Sequence, residues 1–233
     1  GVGVAVADRL IAALADAREM LEQEHDGEMR AFLRDEVTTQ EAAVAALEQD
    51  LRELLIPKDD LNRVYVQGLS NGAFMTSALA CVYADRFAAA SPVAGIQAPK
   101  GCKQARPVPV VAFHGTADGY VGYDGGLGQQ ALDLPAPDGS GKKLSEAGGL
   151  PKSATKGPSV PETTKAWAKR NGCAAKATTK KVSSDVTRFA YSKCRGGADV
   201  QLYRITKGGH TWPGSAFSQN IESIVGRTTM TID

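Results

Sequence analysis

The stretch RVYVQGLSNGAFM, residues 63–75, joins an apolar run, a serine between glycines and the start of an apolar helix. Residues 63–69 are rich in side chains that favour strands, and they predict a buried strand. The helix is predicted from about residue 73 to residue 83. A strand, a turn and a helix in direct succession are typical of an α/β fold.

Further along the chain, strand patterns alternate with a helix pattern. Ser159, Pro161 and Glu162 predict a helix start, and the helix continues through Trp167. Four further strands are predicted, at residues 88–93, 108–113, 186–191 and 200–205. The alternation predicts an α/β fold with a mostly parallel sheet and helices packed on it.

The segment before residue 63 has a different pattern. Residues 1–57 predict helices throughout, with Thr38 and Glu41 in a capping-box arrangement. No strand pattern precedes residue 63. We therefore expect a helical leader of unclear role at residues 1–37 and a catalytic domain at residues 38–233.

Residues 121–162 form the least regular part of that domain. They contain nine glycines and five prolines and have no hydrophobic period. This composition predicts a long irregular loop or lid, and loops of such length are usually functional or mobile.

The composition excludes several function classes. The 233 residues carry 27 basic and 26 acidic side chains, a net charge of +1. Nucleic acids and anionic membranes are therefore not expected as partners. No run of eighteen apolar residues predicts a transmembrane helix, and the first residues do not have the pattern of a signal peptide.

The four cysteines fall into two pairs with equal spacing: Cys81 and Cys102 lie 21 residues apart, and so do Cys173 and Cys194. No CxxC pair and no neighbouring histidine accompanies them, so no zinc site is expected. Their even number and spacing favour two short-range disulfides, Cys81–Cys102 and Cys173–Cys194. The alternative is four buried thiols in a cytosolic protein, whereas disulfides would indicate an exported one.

The motif GLSNG, residues 68–72, fits G-x-S-x-G between a predicted strand and a predicted helix. This context is the one in which a nucleophile elbow presents its serine, because the flanking glycines leave room for the crossing backbone. Ser70 is the candidate nucleophile. The backbone N–H of Asn71, at the start of the helix, is a candidate oxyanion donor.

A nucleophilic serine needs a base, and the chain has three histidines. His25 is interpreted as a solvated surface residue of the leader, and His114 as a structural residue at a strand end. His210 lies in the glycine-rich loop KGGHTWPG, which suits a ring that must approach another loop. It also follows Ser70 with room for an acid between them, the chain order of α/β-hydrolases.

The acid of such a triad should follow a strand end and orient the imidazole. Asp118 follows the strand at residues 108–113 and is the preferred candidate, with Asp124 as the second choice. The alternative for either residue is an ordinary turn aspartate.

Four blocks, GLSNGAFM, FHGTADGYV, SVPETTKAWAKRNGC and GGHTWPG, resemble the polyhydroxybutyrate depolymerase and feruloyl esterase family of secreted α/β-hydrolases. The resemblance covers about residues 38–233. It implies a triad of Ser70, Asp118 and His210, and it supports both disulfides and an extracellular location. It also implies that Trp212 lines an acyl or aromatic subsite; the alternative is a packed loop tryptophan.

The N-terminal part departs from that family. Members carry several strands before the elbow and an HG-type loop that supplies a second oxyanion donor, and residues 1–37 have neither pattern. We therefore expect a truncated α/β-hydrolase fold in which strand 63–69 has one unpaired edge. Leader helices or a homodimer would cover such an edge, because exposed edges invite strand pairing.

The resulting prediction is a serine carboxylic-ester hydrolase without metal or organic cofactor. Expected substrates are feruloyl or short-chain esters, or polyesters such as polyhydroxybutyrate or aromatic ones. Two alternatives remain open at this point. One is a weakly active or non-catalytic protein with a binding or structural role, and the other is a serine peptidase.

Overall fold

The computed structural model describes residues 64–99, 101–136, 140–146 and 156–229. The chain divides into two compact units, Gly1–Asp60 and Leu61–Asp233, and all the described residues belong to the second. The helices predicted in residues 1–57, and His25 with them, lie outside the described residues. The division at residue 37 therefore stays a prediction.

Six strands form one sheet: β1 Tyr65–Leu69, β2 Ala89–Val93, β3 Val110–Gly115, β4 Thr178–Lys181, β5 Val186–Tyr191 and β6 Val200–Ile205. Their order across the sheet is β1-β2-β3-β6-β5-β4. β1, β2, β3 and β6 run parallel, whereas β5 and β4 continue the sheet in antiparallel pairs. The predicted α/β class and mostly parallel sheet are confirmed.

The helices connect and cover the strands: α1 Asn71–Val82, α2 Gln129–Leu132, α3 Val160–Arg170, α4 Ala216–Asn220 and α5 Glu222–Val225. α3 begins as predicted, because Ser159 and Glu162 form a capping box and Pro161 occupies the first turn. None of the helices in the described ranges is both long and apolar enough to cross a bilayer.

One apolar cluster joins α1 and α3 to the central strands. Trp167 of α3 is fully buried in it, beside Val110 of β3 and Leu202 of β6. The Trp167 Nε1–H donates to the carbonyl oxygen of Gln97 at 2.8 Å, so the indole is buried without losing a hydrogen bond. Burying each large apolar side chain of this kind stabilises the fold by about 1.5–3 kcal/mol.

Both predicted disulfides are present. Cys81–Cys102 ties α1 to the segment before β3, and Cys173–Cys194 ties the end of α3 to the segment after β5. Each closes a loop with a sequence separation of 21 residues. Closing a loop of this length restricts the unfolded chain and contributes about 3 kcal/mol of stability.

Strand β1 differs from its prediction as a buried strand. Tyr65 is 68% exposed and Gln67 is also exposed. Among the described residues β1 pairs only with β2, so it is an edge strand whose side chains lack a neighbouring strand on one side. Coverage of this edge by the leader or by a second copy stays a prediction.

Two further features were not predicted. β4 is the polar segment TTKK, exposed at every position, which lacks the apolar alternation that identifies strands in a sequence. The long loop contains α2 and two isolated bridges, Val121–Leu127 and Pro135–Lys143. Its described parts are therefore more ordered than their composition indicates.

Candidate active site

Three polar side chains follow three parallel strands at the point where each strand ends. Ser70 follows β1, Asp118 lies three residues after β3, and His210 lies five residues after β6. Carboxyl ends of parallel strands meet at one edge of the sheet, and ligands of open α/β sheets bind there. The topology therefore places all three residues on the edge where a site is expected.

Ser70 occupies the turn between β1 and α1 in a conformation that few side-chain-bearing residues adopt. Its φ is 59° and its ψ is −120°. Such backbone geometry costs about 1–3 kcal/mol and persists only where the surroundings impose it. Here the Ser70 N–H donates to Val93 O at 2.9 Å, and the Ser70 carbonyl accepts from Ala73 N at the same distance.

The two glycines of the motif have different roles. A Cβ at Gly68 would overlap the backbone carbonyl of Gly72, so the crossing of strand and helix requires glycine at this position. A Cβ at Gly72 would meet nothing within 4 Å. The expectation that both glycines make room for the backbone is therefore correct for Gly68 and wrong for Gly72.

The backbone amide of Asn71 opens α1. In the region that the structure describes, no carbonyl accepts a hydrogen bond from this amide, and the residue is exposed. A free N–H at a helix start, next to a serine, can stabilise a developing negative charge. The residue thus stays the candidate oxyanion donor. No second donor is identified among the described residues.

Asp118 and His210 are hydrogen-bonded across 92 residues of sequence. His210 Nδ1 lies 2.9 Å from Oδ2 and 3.0 Å from Oδ1 of Asp118, whose side chain is 0% exposed. The backbone N–H groups of Tyr120 and Val121 each donate to Oδ1 at 2.9 Å. Because a carboxylate only accepts, Nδ1 carries the hydrogen and Nε2 is left as the basic nitrogen.

Glycines bring the two loops together. A Cβ at Gly115 would overlap the backbone of Gly208, and a Cβ at Gly209 would overlap the carbonyl of Val225. The His210 N–H donates to that same carbonyl at 2.6 Å. The expectation that paired glycines let the histidine approach another loop agrees with this crossing.

His114 lies closer to the site than its interpretation as a structural residue indicates. It is buried, and its Nε2 lies 2.9 Å from Val121 O and 3.4 Å from Asp118 Oδ2. Burial lowers its pKa from the usual 6.5, while the Asp118 charge acts in the opposite direction. Sequence reasoning also missed Tyr120, whose ring centroid lies 5.0 Å from that of His210.

The remaining predicted residues have weaker connections to this site. Asp124 is exposed, and none of its described contacts is a hydrogen bond to His210, so the geometry favours Asp118. Trp212 is half-buried, and its backbone N–H donates to Ser218 Oγ at 2.9 Å. A role for the Trp212 ring in substrate binding stays a prediction.

Two further observations concern the chemistry that this edge of the sheet can perform. The hydrogen bonds of the described residues do not include one from Ser70 Oγ to His210; such catalytic contacts often tighten only when substrate binds. In the part of the chain with described coordinates, no three His, Cys, Asp or Glu side chains are placed to hold a metal ion. The groups that this edge brings together are a candidate nucleophile, a candidate base and a candidate acid.

Comparison with known proteins gives no matching family model. Three relatives do match. Feruloyl esterase B of Piromyces equi is 34% identical over 156 residues, and the proposed esterase NocK of Nocardia uniformis subsp. tsuyamanensis is 30% identical over 178 residues. Poly(3-hydroxyalkanoate) depolymerase C of Paucimonas lemoignei is 61% identical over 36 residues.

These matches cover 65%, 72% and 16% of this chain, in the same order. They cover only 25%, 47% and 9% of the relatives, so the chain spans less than half the length of each. The resemblance to esterases and polyester depolymerases is confirmed.

Proposed function

We propose that this chain, a relative of feruloyl esterases and poly(3-hydroxyalkanoate) depolymerases, hydrolyses carboxylic esters through a serine acyl-enzyme. The observation that carries the proposal is the buried hydrogen bond between Asp118 and His210, at the sheet edge that also holds the turn of Ser70. A nucleophile, a base and an orienting acid are the minimum that this chemistry needs.

Acylation begins when Ser70 Oγ attacks the ester carbonyl carbon while His210 Nε2 takes the hydroxyl proton. The electron pair of the C=O bond moves to the carbonyl oxygen, and the N–H of Asn71 stabilises the resulting negative charge. The tetrahedral intermediate then collapses and expels the alcohol, which receives the proton from His210. An ester between the acyl group and Ser70 remains.

Deacylation repeats these steps with water as the nucleophile. His210 Nε2 takes a proton from the water as it attacks the acyl carbon, and then returns the proton to Ser70 Oγ as the acid leaves. Throughout the cycle Asp118 holds Nδ1 and stabilises the imidazolium that forms twice. Its accepted bonds from Tyr120 and Val121 keep the carboxylate in place while His210 changes charge.

We infer the substrate class from the names of the relatives: hydroxycinnamoyl esters, hydroxyalkanoate polyesters, or related short-chain and aromatic esters. Trp212 is the candidate wall for an acyl or aromatic group. We also infer that the protein is exported, because two disulfides are stable in oxidising compartments.

We propose a homodimer through the edge of β1 with which none of the described strands pairs. The exposed backbone groups of an edge strand are a template for pairing with a second chain. Light scattering after gel filtration should give twice the chain mass, and the amides of β1 should exchange slowly. A monomer in which these amides exchange rapidly would exclude this pairing.

Hydrolysis of p-nitrophenyl butyrate tests the proposed activity, with Ser70→Ala as the variant and Ser218→Ala as the matched control. Ser218 is a buried serine whose hydroxyl accepts from the Trp212 amide. We expect Ser70→Ala to lose at least about 10³-fold in kcat and Ser218→Ala to stay within about tenfold. Equal rates for wild type and Ser70→Ala would reject the mechanism. A panel of feruloyl, hydroxybutyrate and aromatic polyester substrates then identifies the acyl group.

A further inference from the structure

His114 is a buried titratable group that the steps above do not use. It is the fifth residue of β3 and is 2% exposed. The charged or polar groups that face it are Asp118 and His210 from the loops, Tyr123 at 6.0 Å between ring centroids, and Arg204, its register partner on β6. The hydrogen bonds and the charge of His114 therefore affect the neighbours that it contacts directly.

The contacts of His114 are concentrated on the turn that holds the Asp118 carboxylate. Its Nε2 lies 2.9 Å from the carbonyl oxygen of Val121, and because a carbonyl only accepts, Nε2 carries the hydrogen. Val121 in turn donates its N–H to Asp118 Oδ1 at 2.9 Å. Both backbone groups of Val121 are thus fixed, one by the imidazole and the other by the carboxylate.

The second contact is electrostatic. His114 Nε2 lies 3.4 Å from Asp118 Oδ2, the oxygen that His210 Nδ1 contacts at 2.9 Å. A charged His114 would compete with His210 for this carboxylate. A neutral His114 leaves the negative charge to His210, and the burial of the ring favours the neutral form.

We propose that His114 is a positioning residue: its neutral Nε2–H holds the turn at residues 118–121 so that Asp118 keeps His210 in its working orientation. The imidazole reaches neither the ester nor Ser70 in this role. It acts only through Asp118. The kinetic part of the proposal rests on the esterase function proposed above, whereas the structural part does not.

The test compares two variants with opposite chemistry. His114→Phe keeps a planar ring but has no donor, and His114→Gln keeps an N–H at about the reach of Nε2. Asn171→Ala is the matched control, because it also removes a buried hydrogen-bond donor. The Asn171 amide donates to Val108 O and Ala198 O, which lie just before β3 and β6, at the opposite end of these strands from the site. All three variants are compared with wild type for melting temperature.

The first readout needs no catalysis. In a Ser70→Ala background, proton NMR should detect the low-field signal of the His210 Nδ1 hydrogen that is bonded to Asp118. We expect His114→Phe to shift or broaden this signal, and His114→Gln and Asn171→Ala to retain it. An unchanged signal in a folded His114→Phe protein would overturn the proposal, whether or not the wild type is an esterase.

The second readout is kinetic. We expect His114→Phe to lower kcat by about 10–100-fold with little change in KM, because small displacements of catalytic groups have effects of this size. His114→Gln should recover most of the rate. The acid limb of the pH–rate profile should move to lower pH in His114→Phe, because a displaced Asp118 stabilises protonated His210 less. If His114→Phe and His114→Gln lost kcat equally, and only in proportion to their fall in melting temperature, His114 would contribute to stability alone and the proposal would be overturned.

Discussion

The two halves of the site are built in different ways. The turn of Ser70 is local in sequence: it occupies one strand–helix connection after the half-exposed edge strand β1, and its φ of 59° is supported by one bond to Val93 O of the neighbouring strand. The pair of Asp118 and His210 is non-local: two loops that are 92 residues apart cross at buried glycines, and three N–H groups converge on one carboxylate. A motif can therefore identify the first half, whereas the second depends on the assembled sheet.

In the non-local half, catalysis should depend strongly on the charge of the acid. Asp118→Asn preserves the shape of the acid but removes its charge, and such a change lowers kcat by about 10⁴-fold in serine hydrolases with a triad. We expect a loss approaching this size for ester hydrolysis. Asp124→Asn, which alters an exposed aspartate of the same loop, should leave kcat within about twofold of wild type. Equal effects of the two substitutions would assign no special role to Asp118.

Within the local half, only one of the two motif glycines should matter for folding. Gly68→Ala places a methyl group on the carbonyl of Gly72, so we expect a loss of about 2 kcal/mol or more in the free energy of unfolding. Gly72→Ala meets open space within α1, so it should be neutral or stabilise by up to about 1 kcal/mol. Urea denaturation of the two variants measures this. A loss for Gly72→Ala as large as that for Gly68→Ala would contradict the described crossing.

The smallest expected effect is on the pH dependence of stability, through the buried His114. Burial lowers the pKa of His114 below 6.5, so in acid the unfolded chain binds a proton that the folded chain does not. Its contribution to stability is therefore present above pH 6.5 and declines as the pH falls below this value. Melting temperatures of wild type and His114→Gln between pH 5 and 7.5 should converge toward pH 5. Parallel curves would indicate that His114 titrates normally.

Sequence patterns predicted the regular parts of this fold well. The strands at residues 186–191 and 200–205 have the predicted bounds, because their alternating apolar residues face a core. The capping residues Ser159 and Glu162 correctly located the start of α3. The disulfide partners were also correct, since their spacing left one simple pairing.

The rest depends on neighbours that the sequence does not reveal. The exposure of β1 follows from its position at the sheet edge, and the strand TTKK exists because β5 supplies a pairing partner. The contact of His114 with the acid arises because the turn at residues 118–121 folds back over the strand end. Gly72 occupies the last position of the G-x-S-x-G motif, but a side chain there would meet nothing within 4 Å. The sequence alone cannot reveal that difference.

We propose that the local and non-local halves form one active site. The most direct measurement is the rate at which a fluorophosphonate modifies the protein, with peptide mass spectrometry to locate the adduct. We predict a single adduct on Ser70, formed at least about 10³-fold more slowly in His210→Ala, because the base must take the hydroxyl proton. An adduct on another residue, or equal rates in wild type and His210→Ala, would contradict the claim.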